Sequence, residues 1–320
     1  MLILKGCFEL QINPFYIEKY IVVSKILQVE GLTKFFGSIK AIENIDLSLE
    51  KGQVLGLLGP NGSGKTTTLS VVLGVKYADR GFFSWFGGAK APEANKRIGA
   101  LLEVPYFYPY LSLEKNLSIV AKVRGQGSGQ IPQILSMVGL GSRVKSPYYT
   151  LSLGMKQRLA IASALIGSPE VLVLDEPTNG LDPEGIAEVR DIIKEQAAQG
   201  KTIILASHIL DEVEKVCSHV AILKEGERIA YGKVNELLAD QQHITLSSDD
   251  INLLSIVLNQ FKGVKVIEKG DSSILISIDE SITTLELNKR LVEQGIVLNQ
   301  LEVHKKTLEE QFLELIRKRN

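Results

Sequence analysis

The sequence predicts an α/β fold built on a buried parallel sheet and followed by a small α+β unit. An apolar strand, Val54–Leu58, leads into a glycine-rich loop and then into a helix from about Lys65. A second apolar strand, Val171–Leu174, ends in two acidic residues. After Gly232 the predicted elements follow the order β-α-β-β-α-β. Continuous apolar strands that feed glycine loops and helices are typical of a sheet covered on both faces.

The composition fits one large and one small domain and favours no charged partner. The chain has 320 residues, 45% of them hydrophobic, so we expect a sizeable core. Its 36 basic and 37 acidic residues give a formal net charge of −1, which offers no electrostatic argument for nucleic acid. Cys7 and Cys217 stand in no metal or redox spacing, so we expect a reducing, cytoplasmic compartment. No apolar run approaches the ~18 residues needed to cross a bilayer, so any membrane role requires another chain.

The pattern along the chain divides it into three regions. Residues 1–25 show no clean period, and we expect an N-terminal extension that is either a short appendage or the product of a start codon assigned too far upstream. Residues 26–232 carry the main α/β unit, and prolines and glycines interrupt about 92–160, which predicts a helical subdomain there. Residues 233–320 predict an accessory domain of ferredoxin-like order, closed by a helix that begins near Thr307.

The strongest motif is a phosphate-binding loop between the first apolar strand and its helix. The pattern G-x-x-x-x-G-K-[ST] is matched by Gly59, Pro60, Asn61, Gly62, Ser63, Gly64, Lys65 and Thr66. Glycines let the backbone wrap a phosphate chain at the positive end of the following helix. Lys65 supplies a charge to the β- and γ-phosphates, Thr66 offers a hydroxyl to Mg²⁺, and Thr67 continues the phosphate-binding turn. A plain glycine turn is the alternative, but the strand and helix on either side favour ATP and Mg²⁺.

The second motif is the pair of acids that ends the strand Val171–Leu174. A buried strand delivers Asp175 beside the loop, where its carboxylate can hold Mg²⁺ through water. Glu176, one residue further, can polarise the attacking water. Alone, the pair would be interpreted as a solvated acidic turn. Next to a phosphate loop, it predicts a site that hydrolyses ATP.

Further motifs resemble those of ATP-binding-cassette (ABC) transporters. Residues 151–158 read LSLGMKQR, similar to the family's signature sequence, and residues 176–183 read EPTNGLDP, similar to its stretch from the catalytic glutamate through the D-loop. His208 follows a strand where the family has its switch histidine, and Phe36 stands where an aromatic ring stacks on adenine. The resemblance covers about residues 26–232 and points within the family to the bacitracin-resistance and lantibiotic-immunity exporters.

The resemblance implies a P-loop NTPase fold of the ABC type, with a mixed sheet core and a helical subdomain, that works in pairs. Ser152 and Gly154 of one subunit would meet the γ-phosphate held by Lys65 of the other. His208 would hold the γ-phosphate and orient water, which completes a catalytic set with the loop lysine and the glutamate after the strand. Asp182 would link the two sites. The implied partners are a second nucleotide-binding subunit and a separate transmembrane permease, and the implied location is the inner face of the cell membrane.

Three features depart from the family pattern or stand outside it. Glu103 occupies the position of the family's Q-loop glutamine. It is a candidate Mg²⁺ ligand, but a carboxylate beside a triphosphate is repelled, so we favour a role in coupling to the permease. Leu153 and Met155 replace the preferred Gly and Gln of the signature and receive no transferred role. The aromatic run at 106–110 is either a socket for a permease helix or part of the subdomain core.

Other functions have less support. A DNA-repair or chromosome-organising ABC ATPase carries a long coiled coil between phosphate loop and signature, and this chain leaves no room for one. A translation-factor ABC protein resembles two cassettes in tandem, whereas this chain has one set of motifs. A regulatory module that binds ATP without turnover would not need both Glu176 and His208. We therefore expect an exporter ATPase, by analogy with its subgroup. These motifs do not encode the transported substrate.

Overall fold

The structure is a computed structural model and describes residues 25–89, 91–102, 106–238, 242–279 and 282–304. The strands in these ranges are β1 (Lys25–Phe36), β2 (Ile39–Glu50), β3 (Val54–Leu58), β4 (Arg80–Trp85), β5 (Ile98–Leu101), β6 (Val171–Asp175), β7 (Thr202–Ser207), β8 (His219–Lys224), β9 (Glu227–Lys233), β10 (Gln242–Ser248), β11 (Val264–Lys269), β12 (Ile274–Ile278) and β13 (Leu298–His304). Residues 1–24, Glu103 and the predicted helix at Thr307 lie outside the described residues.

Helices connect the strands. The α-helices are α1 (Lys65–Val72), α2 (Ala91–Arg97), α3 (Leu113–Arg124), α4 (Ile131–Met137), α5 (Leu153–Leu165), α6 (Pro183–Ala198), α7 (Leu210–Val216), α8 (Val234–Leu238), α9 (Ile251–Leu258) and α10 (Thr284–Glu293). Short 3₁₀ turns lie at Ser128–Gln130, Gly141–Arg143 and Tyr148–Thr150. Within the described ranges, no helix combines the length and hydrophobicity of a bilayer-spanning segment.

The central sheet has the strand order β5-β6-β7-β3-β8-β9 and carries the phosphate loop. Its neighbours pair in parallel, except that β8 and β9 are antiparallel. Every residue of β3, β6 and β7 is buried, which explains their largely apolar sequences. Leu58 of β3 pairs with Ser207 of β7, and Asp175 of β6 pairs with Ala206. The segments that follow these three strands therefore meet at one edge of the sheet.

Three strands that the sequence pattern did not predict, β4, β5 and β9, enlarge the sheets. β4 adds to β1 and β2 in an antiparallel sheet, which packs on β3 through a shared core that includes Leu27, Ile45 and Leu57. β5 lies within the stretch that we predicted as helical and joins the central sheet beside β6. It is short, and its Gly99 lets α5 approach, since a Cβ there would lie 2.0 Å from the carbonyl oxygen of Ala164. A four-residue strand of this kind gives little periodic signal.

The helices α3, α4 and α5 pack together around a core of leucines that includes Leu117, Leu135 and Leu159. Ser112 caps α3 by accepting a hydrogen bond from Lys115 N, and Gly125 ends the helix with a left-handed φ of 67°. This arrangement holds α5, and with it the signature-like sequence, beside the N-terminal end of α6.

The last described elements form a separate sheet with its own core. The strand order is β11-β12-β10-β13, and all neighbours are antiparallel. The helices α9 and α10 pack on it through buried residues such as Leu254, Leu258, Leu287 and Leu291. This cluster is distinct from the two hydrophobic clusters that surround the central sheet.

Candidate nucleotide-binding site

The loop between β3 and α1 depends on two glycines in left-handed conformations. Gly62 has a φ of 80° and Gly64 a φ of 101°, where other residues are strained. At Gly64 a Cβ would also lie 2.5 Å from Ile42 Cγ2. The turn is closed by a hydrogen bond from Ser63 N to the carbonyl oxygen of Pro60, at 3.1 Å. The loop can therefore curl tightly in front of the first turn of α1, whose backbone N–H groups have no partners within the helix.

Lys65 points its ammonium group into the curl of this loop. Its side chain is buried, with the whole residue only 5% exposed. The ammonium donates hydrogen bonds to the carbonyl oxygens of Gly59, at 2.7 Å, and Pro60, at 3.3 Å. It also lies 3.4 Å from Glu176 Oε1. A buried ammonium needs such partners, and their arrangement fixes its charge at the centre of the loop.

Glu176 joins the loop to the segment after β7. Its second carboxylate oxygen, Oε2, lies 2.8 Å from His208 Nδ1. Its backbone has a φ of 47°, a left-handed conformation that costs about 1–3 kcal/mol in a residue other than glycine. A hydrogen bond from Glu176 N to the carbonyl oxygen of Ala206 holds the turn, at 2.9 Å. The structure thus brings Lys65, Glu176 and His208 together through one ion pair and one hydrogen bond.

The residues beside this group fit Mg²⁺ and phosphate. Asp175 is buried at the end of β6, and Thr66 is exposed in the first turn of α1. Carboxylate and hydroxyl oxygens suit Mg²⁺, which keeps several ligands from water and phosphate. Among the described residues, no cluster of three or more His, Cys, Asp or Glu could hold a metal ion. Ser63 Oγ is buried without a hydrogen-bond partner among the described residues, as expected of a donor to phosphate.

An aromatic ring stands at the mouth of the same cavity. The cavity has a volume of about 330 Å³ and is lined by Phe36, Ile39, Lys40 and residues of the loop. Phe36 is 43% exposed, and Lys76 Nζ lies 5.3 Å from its ring centroid. An exposed ring next to a phosphate loop provides a flat face on which a nucleobase can stack.

A second cavity, of about 430 Å³, contains the other predicted ligand residues. Ser152 and Gly154 line it together with Asp182. Ser152 caps α5, since its Oγ accepts a hydrogen bond from Met155 N at 3.3 Å. Asp182 caps α6 in the same way, through Gly185 N at 2.9 Å. Two helix N-termini therefore border one cavity. Within one chain, the structure does not bring Ser152 or Gly154 to Lys65.

The aromatic run after Glu103 divides into two kinds of residue. Phe107 is partly buried and packs against Tyr148, with ring centroids 5.2 Å apart. Tyr106 and Tyr110 are exposed, and Tyr110 contacts the exposed ring of Tyr149. Phe107 thus belongs to the subdomain core, and the socket for a permease helix stays a prediction for the exposed tyrosines. Cys217, which stands in no metal or redox spacing, is buried, and burial raises the pKa of its thiol.

Motif analysis missed the residues that frame Phe36. Asp79 Oδ2 accepts a hydrogen bond from Phe35 N at 2.6 Å, and its Oδ1 lies 3.1 Å from Lys34 Nζ. Lys76 adds its ammonium to the ring. Lys76 and Asp79, the two charged residues in the turn after α1, could have indicated this contact. No spacing rule, however, connects that turn with β1.

Comparison with known proteins agrees with this site. Residues 42–179 match the ABC transporter family. The chain is 36% identical over 302 residues to the bacitracin transport ATP-binding protein BcrA of Bacillus licheniformis, which covers 92% of this chain and 98% of that protein. It is 40% identical over 204 residues to the lantibiotic transport ATP-binding protein SrtF of Streptococcus pyogenes, which covers 64% of this chain and 89% of that protein. A solved ATP-binding subunit of an ABC transporter superposes with a TM-score of 0.60 at 29% identity, over 67% of this chain and 92% of that one.

The fold and the loop define a P-loop ATPase. With the similarity over nearly its whole length, the chain belongs to the ABC transporter family, as an ATP-binding subunit. This confirms the predicted P-loop NTPase fold of the ABC type and the ATPase activity. It also confirms the predicted resemblance to bacitracin and lantibiotic transport proteins.

Proposed function

We propose that this subunit hydrolyses ATP to drive export through a separate permease, and that it does so by ATP-dependent pairing with a second ATP-binding subunit. The observation that carries the proposal is the separation of the two cavities. Lys65 and Glu176 line one, where His208 contacts Glu176, whereas Ser152, Gly154 and Asp182 line the other. Each cavity holds half of the groups that a triphosphate needs for turnover.

In the loop cavity, the chain's own groups account for binding and water activation. Lys65 and the backbone N–H groups of the loop bind the β- and γ-phosphates, and Ser63 Oγ adds a donor. Glu176 accepts a proton from the attacking water, since its carboxylate is held by His208 on one oxygen and by Lys65 on the other. Thr66 and Asp175 would hold Mg²⁺, which supplies positive charge to offset the phosphate charge.

The second cavity completes the site from a partner subunit. The N-terminal turn of α5 presents backbone N–H groups and the Ser152 hydroxyl, a suitable receptor for a γ-phosphate. Gly154 leaves that turn open to close approach. Among the described residues that line this cavity, the one cation is Arg158, which pairs with Glu188 at 3.4 Å. The cavity is therefore poorly equipped to hold a triphosphate alone and well placed to receive one from a partner's loop.

The exposed tyrosines give the permease a place to bind. Tyr106, Tyr108, Tyr110 and Tyr149 are all more than half exposed, and aromatic side chains are enriched at protein interfaces. Glu103 precedes this patch in the chain, which supports a coupling role. Binding there would hold the subunit at the cytoplasmic face of the membrane. Residues 26–232 would then form the ATPase cassette, with 1–25 and 233–320 as an extension and an accessory domain.

The relatives suggest the class of cargo. BcrA and SrtF are named for bacitracin and lantibiotic transport, and both of those molecules are peptide antibiotics. By this similarity, a peptide antibiotic is our first candidate for the exported substrate. Growth inhibition by such peptides, with and without the gene, tests this part of the proposal.

A single preparation tests the pairing mechanism. We expect the purified subunit to hydrolyse ATP only with Mg²⁺, at a specific activity that rises with protein concentration. Replacing Tyr106 and Tyr110 by Ser should weaken co-purification with the permease and leave ATP binding unchanged. Concentration-independent hydrolysis by a monomer, established by light scattering, would refute the composite site.

A further inference from the structure

A partly buried ion pair lies behind the contact between Glu176 and His208. Arg190, on α6, donates hydrogen bonds through Nη1 to both carboxylate oxygens of Glu212, on α7, at 3.0 and 3.3 Å. Glu212 is 8% exposed, and the side chain of Arg190 is 22% exposed. Lys215 Nζ is more distant from Glu212, at 3.8 Å, and pairs more closely with Asp211. Arg190 is therefore the main partner of Glu212.

This ion pair borders a narrow crevice whose other walls adjoin the catalytic group. Pro177 and Thr178, which follow Glu176, line the crevice, and so does Ser207, which precedes His208. Ser207 Oγ accepts a hydrogen bond from Ile209 N at 3.0 Å and so shapes the turn that carries His208. The ion pair thus lies beside residues that are next to Glu176 and His208 in the chain. Glu176 and His208 are the two residues that contact each other in the site.

The helix α7 depends on tertiary contacts for its orientation. It has seven residues, and its N-cap, Ile209, provides no side-chain hydrogen bond. An isolated helix of this length is unstable. Val213 seats it directly on β3, since a Cβ at Gly56 would lie 2.4 Å from Val213 Cγ1. The Val213 contact determines the position of α7. The ion pair from Glu212 to Arg190 on α6 determines the rotation of α7 about its axis.

We infer that the Arg190–Glu212 pair positions His208 for hydrolysis and acts as a positioning device between α6 and α7. The inference rests on the proposed function, in which Glu176 activates the attacking water and His208 holds the carboxylate of Glu176. Glu176 is held in a left-handed conformation, which persists only where the surrounding structure holds it. Loosening α7 would displace His208 from Glu176, and a displacement of about 1 Å in a reacting group can cost on the order of 10²-fold in rate.

The test replaces the ion pair by apolar side chains. In the double variant Arg190→Met/Glu212→Met, we expect kcat to fall by roughly tenfold or more. The ATP affinity should stay within about twofold, and Tm should be unchanged or higher, because replacing a buried pair by hydrophobic residues is often neutral or stabilising. The control is Arg97→Met/Glu170→Met, which removes a more exposed Arg–Glu pair at the opposite ends of the central strands. We expect this control to leave kcat unchanged.

A double-mutant cycle shows whether the pair acts through His208. In a His208→Ala background, the two Met substitutions should have no further effect on kcat, since the group that they displace is gone. An additive effect there, or wild-type kcat in the double variant, would overturn the inference. If the double variant does not fold, Glu212→Gln keeps the side-chain shape and undergoes the same cycle. The single variant His208→Ala tests the proposed function separately: undiminished turnover would refute the role of His208 itself.

Discussion

The two cavities differ in how their polar groups are satisfied. In the loop cavity, Lys65, Glu176 and His208 satisfy one another within one chain, at distances of 2.8 to 3.4 Å. In the second cavity, Ser152 and Asp182 only cap their own helices. The charged groups of the first cavity thus pair with one another within one chain, whereas the second cavity is a pair of helix ends open to a ligand. The difference suggests that the first cavity provides most of the affinity for ATP, whereas the rate of hydrolysis depends on both cavities.

The difference also follows from the fold. The loop cavity lies where β3, β6 and β7 end side by side, so a single sheet positions its groups. The second cavity lies between α5 and α6, outside the sheet. A site at strand ends is held rigidly by its strands, as is usual in open α/β sheets. Substitutions in the two cavities should therefore affect binding and hydrolysis in different proportions.

The largest effect is expected for Glu176→Gln. Loss of the base that activates water should lower ATP hydrolysis by ~10²–10⁴-fold. ATP affinity should be retained, because the loop and Lys65 remain. Steady-state ATPase assays and nucleotide titration measure the two quantities. Glu170→Gln, at the other end of β6, is the control and should keep normal turnover. Wild-type hydrolysis by Glu176→Gln would show that the loop cavity does not hold the base.

A smaller effect is expected for Phe36→Ala. Stacking of a base on an aromatic ring contributes about 1–3 kcal/mol, so ATP affinity should fall by roughly tenfold. The maximal rate should change little, because the ring would contact the base and would not take part in the activation of water by Glu176. Phe36→Trp keeps a stacking face and should bind ATP normally. Equal affinities for the Ala and Trp variants, measured by titration with a fluorescent nucleotide, would argue against the ring as a base platform.

The smallest effect on basal activity is expected for Glu103→Gln. This change restores the common family residue and removes a charge. We expect basal ATPase to stay within about tenfold of the wild type, a barrier change near 1.4 kcal/mol. Stimulation by the permease should change, and reconstitution with and without the permease measures it. A loss of basal hydrolysis as complete as that of Glu176→Gln would make our division of labour between the two glutamates wrong.

Elements that depend on a local sequence pattern could be predicted, whereas elements that depend on long-range pairing could not. The range of β3 was predicted as observed, because a continuous apolar run before a glycine loop leaves few alternatives. β5 was missed because its four residues depend on pairing with β6, more than seventy positions away. The Arg190–Glu212 pair was not predicted for the same reason. Its two residues lie on different helices, and their contact depends on how these helices pack rather than on a local sequence pattern.

The composite site is tested most directly by mixing two inactive subunits. Lys65→Ala disables the loop cavity and Ser152→Arg blocks the second cavity. A mixed pair should contain one intact site, formed by Lys65 of one chain and Ser152 of the other. We therefore predict that ATPase activity reappears on mixing. The control carries both substitutions in one chain, and mixing it with the wild type should create no intact site in mixed pairs. Failure of the two single variants to restore activity, although they form stable pairs, would contradict the account.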